Sequence, residues 1–319
     1  MFYKNEEGYI KMLKDALGGE SKITRNGEVL SQFGYMIQFE DISRLFPLLT
    51  TKKVFFRGIV EELLWFLRGS TDANELKNKN VNIWNGNSSR EYLDSIGLNN
   101  YTEGELGPVY GWQWRKFGKK YESRESYGPV GPVGHVGHDG PERSIKSCGR
   151  SDGSDQLKSI ILELLKDNNS RRAVLSAWNP EDLSKMALPP CHILYIFNKT
   201  SEGLCCLLTM RSSDLFLGLP FNIASSALLT IILSHVLHIK ASKISVAISD
   251  AHIYMEHIEQ VKTQIELEIY DSPTVIITKP APPIESSIEE KIEWIECLSY
   301  NDFELVNYKS HKSLSALMK

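Results

Sequence analysis

The apolar run from Phe221 to Ile239 limits what this chain can fold into. It is close to the roughly 20 residues that a helix needs to cross a bilayer. No basic flank orients it, and it is interrupted by Asn222, Ser225, Ser226, Ser234 and His235. A helix that is apolar all round also occupies the centre of a large core. The run therefore predicts a buried central helix, which other elements must cover on every side.

Shorter patterns predict helices and strands that mix along the chain. Apolar residues recur at helical spacing within 9–17, 59–68, 157–165 and 258–265. Compact apolar runs predict strands within 173–178, 192–197, 204–210, 244–248 and 275–278. These elements follow no regular βαβ repeat. We therefore expect an α/β fold of the α+β type, one large domain with a mixed β-sheet flanked by helices.

Composition indicates an ordinary protein of the reducing intracellular compartment. The net charge of -4 argues against broad binding of nucleic acid or anionic membranes, but allows a small basic pocket for one phosphate. The 5 cysteines form no CxxC pair, so their spacing fits neither a zinc knuckle nor a disulfide framework. The first residues lack the apolar core of a signal peptide. We expect a cytoplasmic protein.

A Gly/Pro/His-rich stretch interrupts this order. The residues from Gly128 to His138 are locally repetitive and are incompatible with a helix or a central strand. They predict a long surface insertion at about 122–153. His135 and His138 invite a metal interpretation, but no carboxylate or thiolate lies at matching spacing, so we expect no metal there.

The first candidate for chemistry is Cys191. Pro189 and Pro190 hold the preceding backbone extended, and His192 follows directly. A thiol becomes a nucleophile as a thiolate, which needs nearby positive charge, and Arg211 could supply it. The alternative is a free cysteine that serves as a small core residue.

Three further segments carry polar groups suited to a nucleotide. Arg171 and Arg172 precede a strand, where paired guanidiniums could chelate a phosphate; the alternative is a solvated corner. Asn222, at the mouth of the apolar helix, has the donor and acceptor that an imide edge requires, or it serves as a helix cap. His252 and Tyr254, two apart at a strand end, point the same way and could bind sugar hydroxyls, or form a buried polar pair.

Taken together, these segments resemble the thymidylate synthase family over nearly the whole chain outside the insertion and the last residues. The motifs that carry the resemblance are FPLLTTKKVFF (46–56), EELLWFLRGSTDANEL (61–76), IWNGNSSREYLDSIG (83–97), GELGPVYGWQWRKFG (104–118), SRRAVLSAWNPEDL (170–183), ALPPCH (187–192), RSSDLFLGLPFNIAS (211–225) and SDAHIYMEH (249–257). The resemblance implies one catalytic domain over 1–319 and a homodimer with the sheet packed across its interface. It implies dUMP and 5,10-methylenetetrahydrofolate as substrates, dTMP and dihydrofolate as products, and no metal.

The resemblance also implies roles for individual residues. The catalytic set would be Cys191 as nucleophile with Glu62, Tyr110, His192, Asn222 and Arg211. The dUMP contacts would be Arg25, Arg171, Arg172, Arg211, Ser212, Asp214, Asn222, His252 and Tyr254, with Arg171 and Arg172 reaching the neighbouring subunit's phosphate. The folate contacts would be Lys52, Trp84, Asn87, Asp214 and Gly218.

The chain departs from the family pattern in four places. Near the N-terminus Thr24 occupies the place of the phosphate-loop arginine, so Arg25 serves by a one-residue shift or that contact is absent. Met210 and Ile196 replace two glutamines, and Ser226 stands where the family usually has Tyr. The last residues, 316–319, replace the usual Met-Ala-Val-like tail that folds over the folate and excludes water.

These departures leave two alternatives to a synthase. A dUMP hydroxymethylase would share the cysteine addition and the folate but would let water attack the methylene intermediate; the retained Trp84 argues against it. A non-catalytic homologue would bind RNA or a partner through the insertion, although every chemical position is filled.

Overall fold

A computed structural model describes residues 1–123 and 153–317 of the chain. The insertion predicted at 122–153 therefore lies almost wholly outside the described residues. The strands are β1 (Phe2–Lys4), β2 (Glu20–Thr24), β3 (Gly27–Glu40), β4 (Ala173–Ser176), β5 (His192–Thr200), β6 (Gly203–Asp214), β7 (Ala241–Tyr254), β8 (Thr274–Ile277) and β9 (Phe303–Val306). The helices are α1 (Asn5–Ala16), α2 (Phe56–Leu67), α3 (Ala73–Lys77), α4 (Arg90–Ser95), α5 (Tyr110–Lys116), α6 (Gln156–Lys166), α7 (Gly218–Val236), α8 (Ile258–Gln264) and α9 (Ile288–Glu296).

One mixed sheet organises the molecule. Its strand order is β1-β3-β7-β6-β5-β4, with β2 paired to β3 beside this path. The β1–β3 and β6–β7 pairs are parallel, and the other pairs are antiparallel. Strands β8 and β9 form a separate antiparallel pair. The predicted fold class, a mixed sheet flanked by helices, is confirmed.

The apolar run forms α7, which packs against β6, β7 and α2. It is long and apolar enough to cross a membrane, but 83% of its most apolar window is buried inside the protein. The helix begins at Gly218, three residues before the apolar run, and so includes Pro220 in its first turn. Proline is tolerated there because a first-turn N–H makes no hydrogen bond within the helix. The prediction of a buried central helix is confirmed.

The two faces of the sheet have different environments. On β6, Leu204, Cys206, Leu208 and Met210 are buried beneath the helices, whereas Cys205, Leu207 and Thr209 on the other face are half-buried. The same alternation runs along β7, where Ile244, Val246 and Ile248 are buried and the residues between them are half-buried. One face therefore builds the core, and the other is only partly covered within one chain.

Two close contacts fix the elements that carry polar residues into the core. A side chain at Gly111, in α5, would place its Cβ 2.5 Å from the Phe66 carbonyl oxygen, so only glycine lets α5 lie directly against α2. The buried carboxylate of Glu6 accepts hydrogen bonds from the backbone N–H and hydroxyl groups of Thr50 and Thr51. It thereby ties α1 to the segment that contains Lys52.

Candidate active site

Cys191 lies in the turn that leads into β5, and both sides of this turn are fastened. Its backbone N–H donates to the Tyr110 hydroxyl at 3.0 Å, and its carbonyl accepts from the Arg211 backbone N–H at 3.0 Å. The Arg211 side chain donates from Nε to the Pro190 carbonyl and from Nη2 to the Pro189 carbonyl, both at 2.8 Å. Arg211 is thus fixed with Nη2 3.7 Å from the Cys191 Sγ.

The electrostatics of Cys191 result from two opposed causes. Burial raises the pKa of the thiol, and the Arg211 guanidinium lowers it by a smaller amount. The net direction is upward, so the free protein holds a thiol and not a thiolate at neutral pH. Arg211 becomes most effective once the proton is lost, because the charge it faces then exists in a dry environment.

A cluster of aromatic and ionisable groups lies on one side of Cys191. The His192 ring stacks on Tyr110 with the ring centres 4.2 Å apart, and Tyr110 also contacts Trp84 edge-on at 5.8 Å. The Trp84 indole N–H donates to the Glu62 carboxylate at 2.8 Å. Tyr110 enters α5 with a φ of 22°, which few residues other than glycine adopt. Glu62, Trp84, Tyr110 and His192 therefore form one contiguous wall beside the thiol.

Burial shifts the pKa values in this wall toward the neutral forms. It raises the pKa of Glu62 to about 7, against a smaller lowering by the Trp84 hydrogen bond. It lowers the pKa of His192 to about 3, so the imidazole is neutral at physiological pH. A glutamic acid with a pKa near neutrality suits general acid–base work, because both of its protonation states are populated there.

The ends of β6 and β7 bring a second group of polar residues together. In register, Ser212 lies opposite Asp250 and Asp214 lies opposite His252. The His252 Nδ1 lies 2.8 Å from the Asp250 carboxylate. The rings of His252 and Tyr254 contact each other edge-on, with their centres 5.3 Å apart. The two side chains therefore point the same way, as their spacing predicts.

Asn222 lies in the first two turns of α7, near the ends of these strands. Its carbonyl accepts a hydrogen bond from the Ser226 hydroxyl at 2.6 Å. A Cβ at Gly218, one turn earlier, would lie 4.0 Å from the Asn222 side-chain oxygen. The half-buried Asn222 side chain therefore has room to meet a ligand.

Lys52 is buried against Phe216, near enough to Asp214 for a charge interaction. The Lys52 ammonium is buried, lies 3.7 Å from the centre of the Phe216 ring and donates to the Phe216 carbonyl. Burial lowers the pKa of Lys52 to about 7, against a smaller raising by Asp214. The structure thus places this predicted folate contact behind Phe216, inside the protein. Of the other folate candidates, Trp84 belongs to the wall, and Asn87 is half-buried in the turn that follows it.

His257, which the sequence did not single out, joins this region to the end of the chain. It is fully buried, its Nε2–H donates to the Leu317 carbonyl at 2.8 Å, and its Nδ1 lies 4.0 Å from the Asp214 carboxylate. Its ring contacts Phe216 and Tyr254, each at 5.5 Å. The contact with Leu317 joins residues 60 apart, so no local pattern could reveal it.

The predicted phosphate-binding arginines lie in two different places. Arg25 is exposed in the turn between β2 and β3, and Val29, which follows this turn, is paired with Tyr254. Arg171 and Arg172 are exposed just before β4. Because β4 pairs with β5 with residue 173 opposite 197 and residue 176 opposite 194, these two arginines lie at the end of β4 remote from Cys191. The chain brings Arg25 toward its own His252–Tyr254 pair and does not bring Arg171 or Arg172 to its own thiol.

Comparison with known proteins agrees with this geometry. The family model described as thymidylate synthase matches residues 7–319. The chain belongs to the thymidylate synthase family. It is 43% identical over 98% of its length to a bifunctional dihydrofolate reductase-thymidylate synthase of Paramecium tetraurelia, of which it covers 61%. It is 39% identical to thymidylate synthase 1/2 of Encephalitozoon cuniculi, with 98% of this chain and 97% of that protein covered. It is 40% identical to the thymidylate synthase of Homo sapiens, with 94% and 86% covered.

The chain therefore spans about three fifths of the Paramecium bifunctional relative and nearly all of the Encephalitozoon thymidylate synthase. The resemblance inferred from the motifs is confirmed at the level of the thymidylate synthase family.

Sequence reasoning missed Tyr195, whose hydroxyl lies 3.1 Å from the His192 Nδ1. Residues three apart on a regular strand face opposite sides, but a bulge between His192 and Leu194 brings Tyr195 onto the face of His192.

Proposed function

We propose that the protein catalyses the reductive methylation of dUMP to dTMP, with 5,10-methylenetetrahydrofolate as co-substrate and dihydrofolate as the second product. It is thus a folate-dependent methyltransferase. The observation that carries the proposal is the fixed Cys191 turn, with Arg211 on one side of the thiol and the Glu62–Trp84–Tyr110–His192 wall on the other. The similarity to the thymidylate synthases of Encephalitozoon cuniculi and Homo sapiens supports the same activity.

In this proposal Cys191 is the nucleophile. Its thiolate adds to C6 of the uracil ring, and the electron pair of the C5–C6 bond moves onto C5 and O4, so that C5 becomes nucleophilic. Arg211 stabilises the thiolate, and the Asn222 amide faces the imide edge as both donor and acceptor. C5 then gains the one-carbon unit and loses its proton, and the electron pair left by that proton expels the folate nitrogen from the one-carbon unit. Addition of hydride to this carbon restores the C5–C6 double bond and expels the Cys191 thiolate.

Glu62 governs the proton transfers. With a pKa of about 7 it can accept a proton and return one within a single turnover at neutral pH. The neutral His192 and the Tyr110 hydroxyl contribute polar atoms through which site water is ordered. Trp84, held by Glu62, covers the reacting carbon and limits the access of bulk water.

The dUMP subsite is assigned to the ends of β6 and β7. Arg211 and Ser212 hold the phosphate, Arg25 reaches it from the turn between β2 and β3, and the His252–Tyr254 pair binds the sugar hydroxyl. Among the described residues, the Arg211 side chain donates from Nε and Nη2 alone, so Nη1 is available to the phosphate. The pairing of Val29 with Tyr254 supports a turn that approaches the same ligand.

The donor set of the described residues fits a folate. The Asp214 carboxylate accepts a hydrogen bond from the Phe216 N–H through Oδ1, and its other oxygen can accept from the N–H groups of a pterin ring. Trp84 and Asn87 line the same side, and Gly218 leaves space beside Asn222. When bound, the folate supplies the one-carbon unit and the hydride that reduces it.

We further propose a cytoplasmic homodimer. The half-buried sheet face of β6 and β7 has the alternating pattern of a surface that is covered by a second copy. Arg171 and Arg172, exposed and remote from their own Cys191, are available to the partner's phosphate site. The free thiols of Cys191, Cys205, Cys206 and Cys297 are compatible with a reducing compartment.

One assay tests the activity and separates it from its alternatives. The protein is incubated with dUMP and methylenetetrahydrofolate, the nucleotide is identified by mass and dihydrofolate absorbance is followed. We expect dTMP together with dihydrofolate. Hydroxymethyl-dUMP with tetrahydrofolate would instead identify a hydroxymethylase, and binding without a product would identify a non-catalytic homologue.

A further inference from the structure

A line of polar side chains leads from the edge of the sheet to His252. The His252 Nδ1 lies 2.8 Å from Oδ1 of Asp250, two residues earlier on β7. The hydroxyl of the buried Ser31, on β3, donates to Oδ2 of the same carboxylate at 2.9 Å. The Lys22 ammonium, on β2, donates to the Ser31 oxygen at 3.2 Å and lies 3.9 Å from the Asp250 carboxylate. Groups from three strands thus surround this one carboxylate.

The chemistry of these groups determines where the hydrogens lie. An ammonium can only donate, so the Ser31 oxygen accepts from Lys22, and the one hydrogen of this hydroxyl is directed to Asp250. An ionised carboxylate has no hydrogen and can only accept. The hydrogen between His252 and Asp250 therefore belongs to the His252 Nδ1. In a neutral imidazole this leaves a lone pair on Nε2.

We propose that Asp250 is a positioning residue that holds His252 as the Nδ1–H tautomer, so that Nε2 presents an acceptor to the sugar hydroxyl of the nucleotide. Because Nδ1 is engaged by Asp250, Nε2 is the ring nitrogen that remains for a ligand. The choice of ligand rests on the proposed binding of dUMP, whereas the tautomer does not.

This arrangement determines which group the subsite recognises. The Tyr254 ring contacts the His252 ring edge-on, and a phenol can donate to the oxygen of the same ligand group. A group that donates to Nε2 and accepts from Tyr254 must be a free hydroxyl. In dUMP the sugar has one hydroxyl, at C3′. A nucleotide esterified at this oxygen, such as one within a nucleic-acid chain, lacks the hydrogen and is a poor ligand.

The tautomer is tested by nitrogen-15 NMR of histidine-labelled protein at pH 8, with the His252 signal assigned by its absence from His252→Gln. We expect a protonated Nδ1 and an unprotonated Nε2 in the wild type. In Asp250→Asn the amide keeps the shape of the side chain, but its NH2 group can donate, so the Nδ1–H population should fall. A protonated Nε2 in the wild type, or an unchanged tautomer in Asp250→Asn, would overturn the proposal.

The recognised group is tested by calorimetric binding of dUMP, its 3′-deoxy analogue and its 3′-fluoro-3′-deoxy analogue. Both analogues should bind the wild type about 5- to 100-fold more weakly than dUMP, because each leaves a buried acceptor unpaired. They should bind about equally, since fluorine cannot donate. In Asp250→Asn the preference for dUMP over the 3′-deoxy analogue should shrink severalfold, whereas a merely structural role would weaken all three nucleotides alike.

Asp15→Asn is the matched control. It makes the same acid-to-amide change at a half-buried aspartate, whose carboxylate accepts from the Tyr3 hydroxyl at 2.8 Å and not from a histidine. It should keep the preference of the wild type for dUMP. If Asp250→Asn keeps this preference, or if Asp15→Asn loses as much of it, the positioning role of Asp250 is wrong.

The remaining failures are distinguishable. If the wild type binds dUMP and the 3′-fluoro analogue equally well, Nε2 is not an acceptor for the hydroxyl. This comparison and the wild-type NMR need no variant, so they decide the proposal even if Asp250→Asn does not fold. If the wild type binds no dUMP and forms no dTMP, the proposed function is wrong, and the NMR result still decides the tautomer.

Discussion

At the scale of single residues, the site is governed by burial of groups that carry charge in water. Glu62, His192 and Cys191 each have a pKa shifted toward the neutral form, with burial as the largest cause. Burial destabilises the charged form of each group, and the resulting pKa shifts are characteristic of functional sites. The protein therefore favours the uncharged forms of these three groups at some expense of stability.

The stability of the protein should depend on pH through Glu62. The folded-state pKa is raised from 4.5 to about 7, so the contribution of Glu62 is fully present below about pH 4.5 and is lost as the pH rises through about 7. The shift corresponds to about 3 kcal/mol. Glu62→Gln keeps an acceptor for Trp84 but cannot ionise, so its free energy of unfolding should lack this decline.

Urea unfolding between pH 4.5 and pH 8 checks the expectation. The difference in free energy of unfolding between Glu62→Gln and the wild type should grow with pH by about 3 kcal/mol. Glu7→Gln, at an exposed position, is the control and should follow the wild type. Parallel curves for the wild type and Glu62→Gln would show that the Glu62 pKa is not raised by folding.

At the scale of elements, sequence patterns located apolar segments better than polar ones. The cores of β5, β6, β7 and α7 were predicted, because an apolar run survives whatever packs against it. β3 was missed, since the polar Ser31 is among its buried residues, the apolar Leu30 and Met36 lie between them, and Gly34 interrupts the pattern with a φ of 84°. The strands β6 and β7 also continue beyond their apolar runs into Ser212, Asp214, His252 and Tyr254, which are the predicted ligand contacts.

The same limit applies to the candidate site. Cys191, Arg211 and Asn222 belong to continuous sequence motifs that can be recognised without a structure. The structure brings Cys191 and Arg211 into contact. Tyr195 and His257 depend on a bulge and on a contact with the end of the chain. The bulge breaks the regular two-residue spacing of the strand, and the His257 contact joins residues 60 apart, so no spacing rule could identify these two residues.

The terminal segment should be held by His257. His257→Phe keeps a ring against Phe216 and Tyr254 but removes the hydrogen bond to the Leu317 carbonyl. A net loss of about 1 kcal/mol should release the segment about fivefold more often. The rate at which a carboxypeptidase trims the chain measures this release.

His235→Phe serves as the comparison for this experiment. The His235 Nε2 also lies at hydrogen-bond distance, 3.2 Å, from a backbone carbonyl, that of Lys279. His235 lies in the last turn of α7, and its partner is not in the terminal segment. Its replacement should leave the trimming rate unchanged. Equal rates for His257→Phe and the wild type would mean that the Leu317 contact does not restrain the segment.

At the scale of the whole molecule, the proposed dimer makes each site composite. Cys191→Ser and Arg171→Ala/Arg172→Ala should each be inactive alone, the first without a nucleophile and the second without the partner's arginines. After unfolding and refolding together, half of the dimers are mixed, and each has one complete site. The mixture should therefore reach about a quarter of the wild-type turnover.

Turnover after co-refolding is compared with that of each variant refolded alone. If Arg171 and Arg172 served the site of their own chain, both sites of a mixed dimer would remain defective. An inactive mixture that contains mixed dimers by mass would therefore exclude sharing of these arginines between subunits.

The central place of β7 has a consequence for how the chain is made. β7 joins β3 to β6, yet it is synthesised about 200 residues after β3. Until residue 254 has left the ribosome, β3 lacks its main partner and the apolar α7 lacks one of the strands that cover it. Contacts of such long sequence separation slow folding and prolong the exposure of apolar surface. The growing chain thus leaves part of the apolar surface of α7 uncovered until β7 has been made.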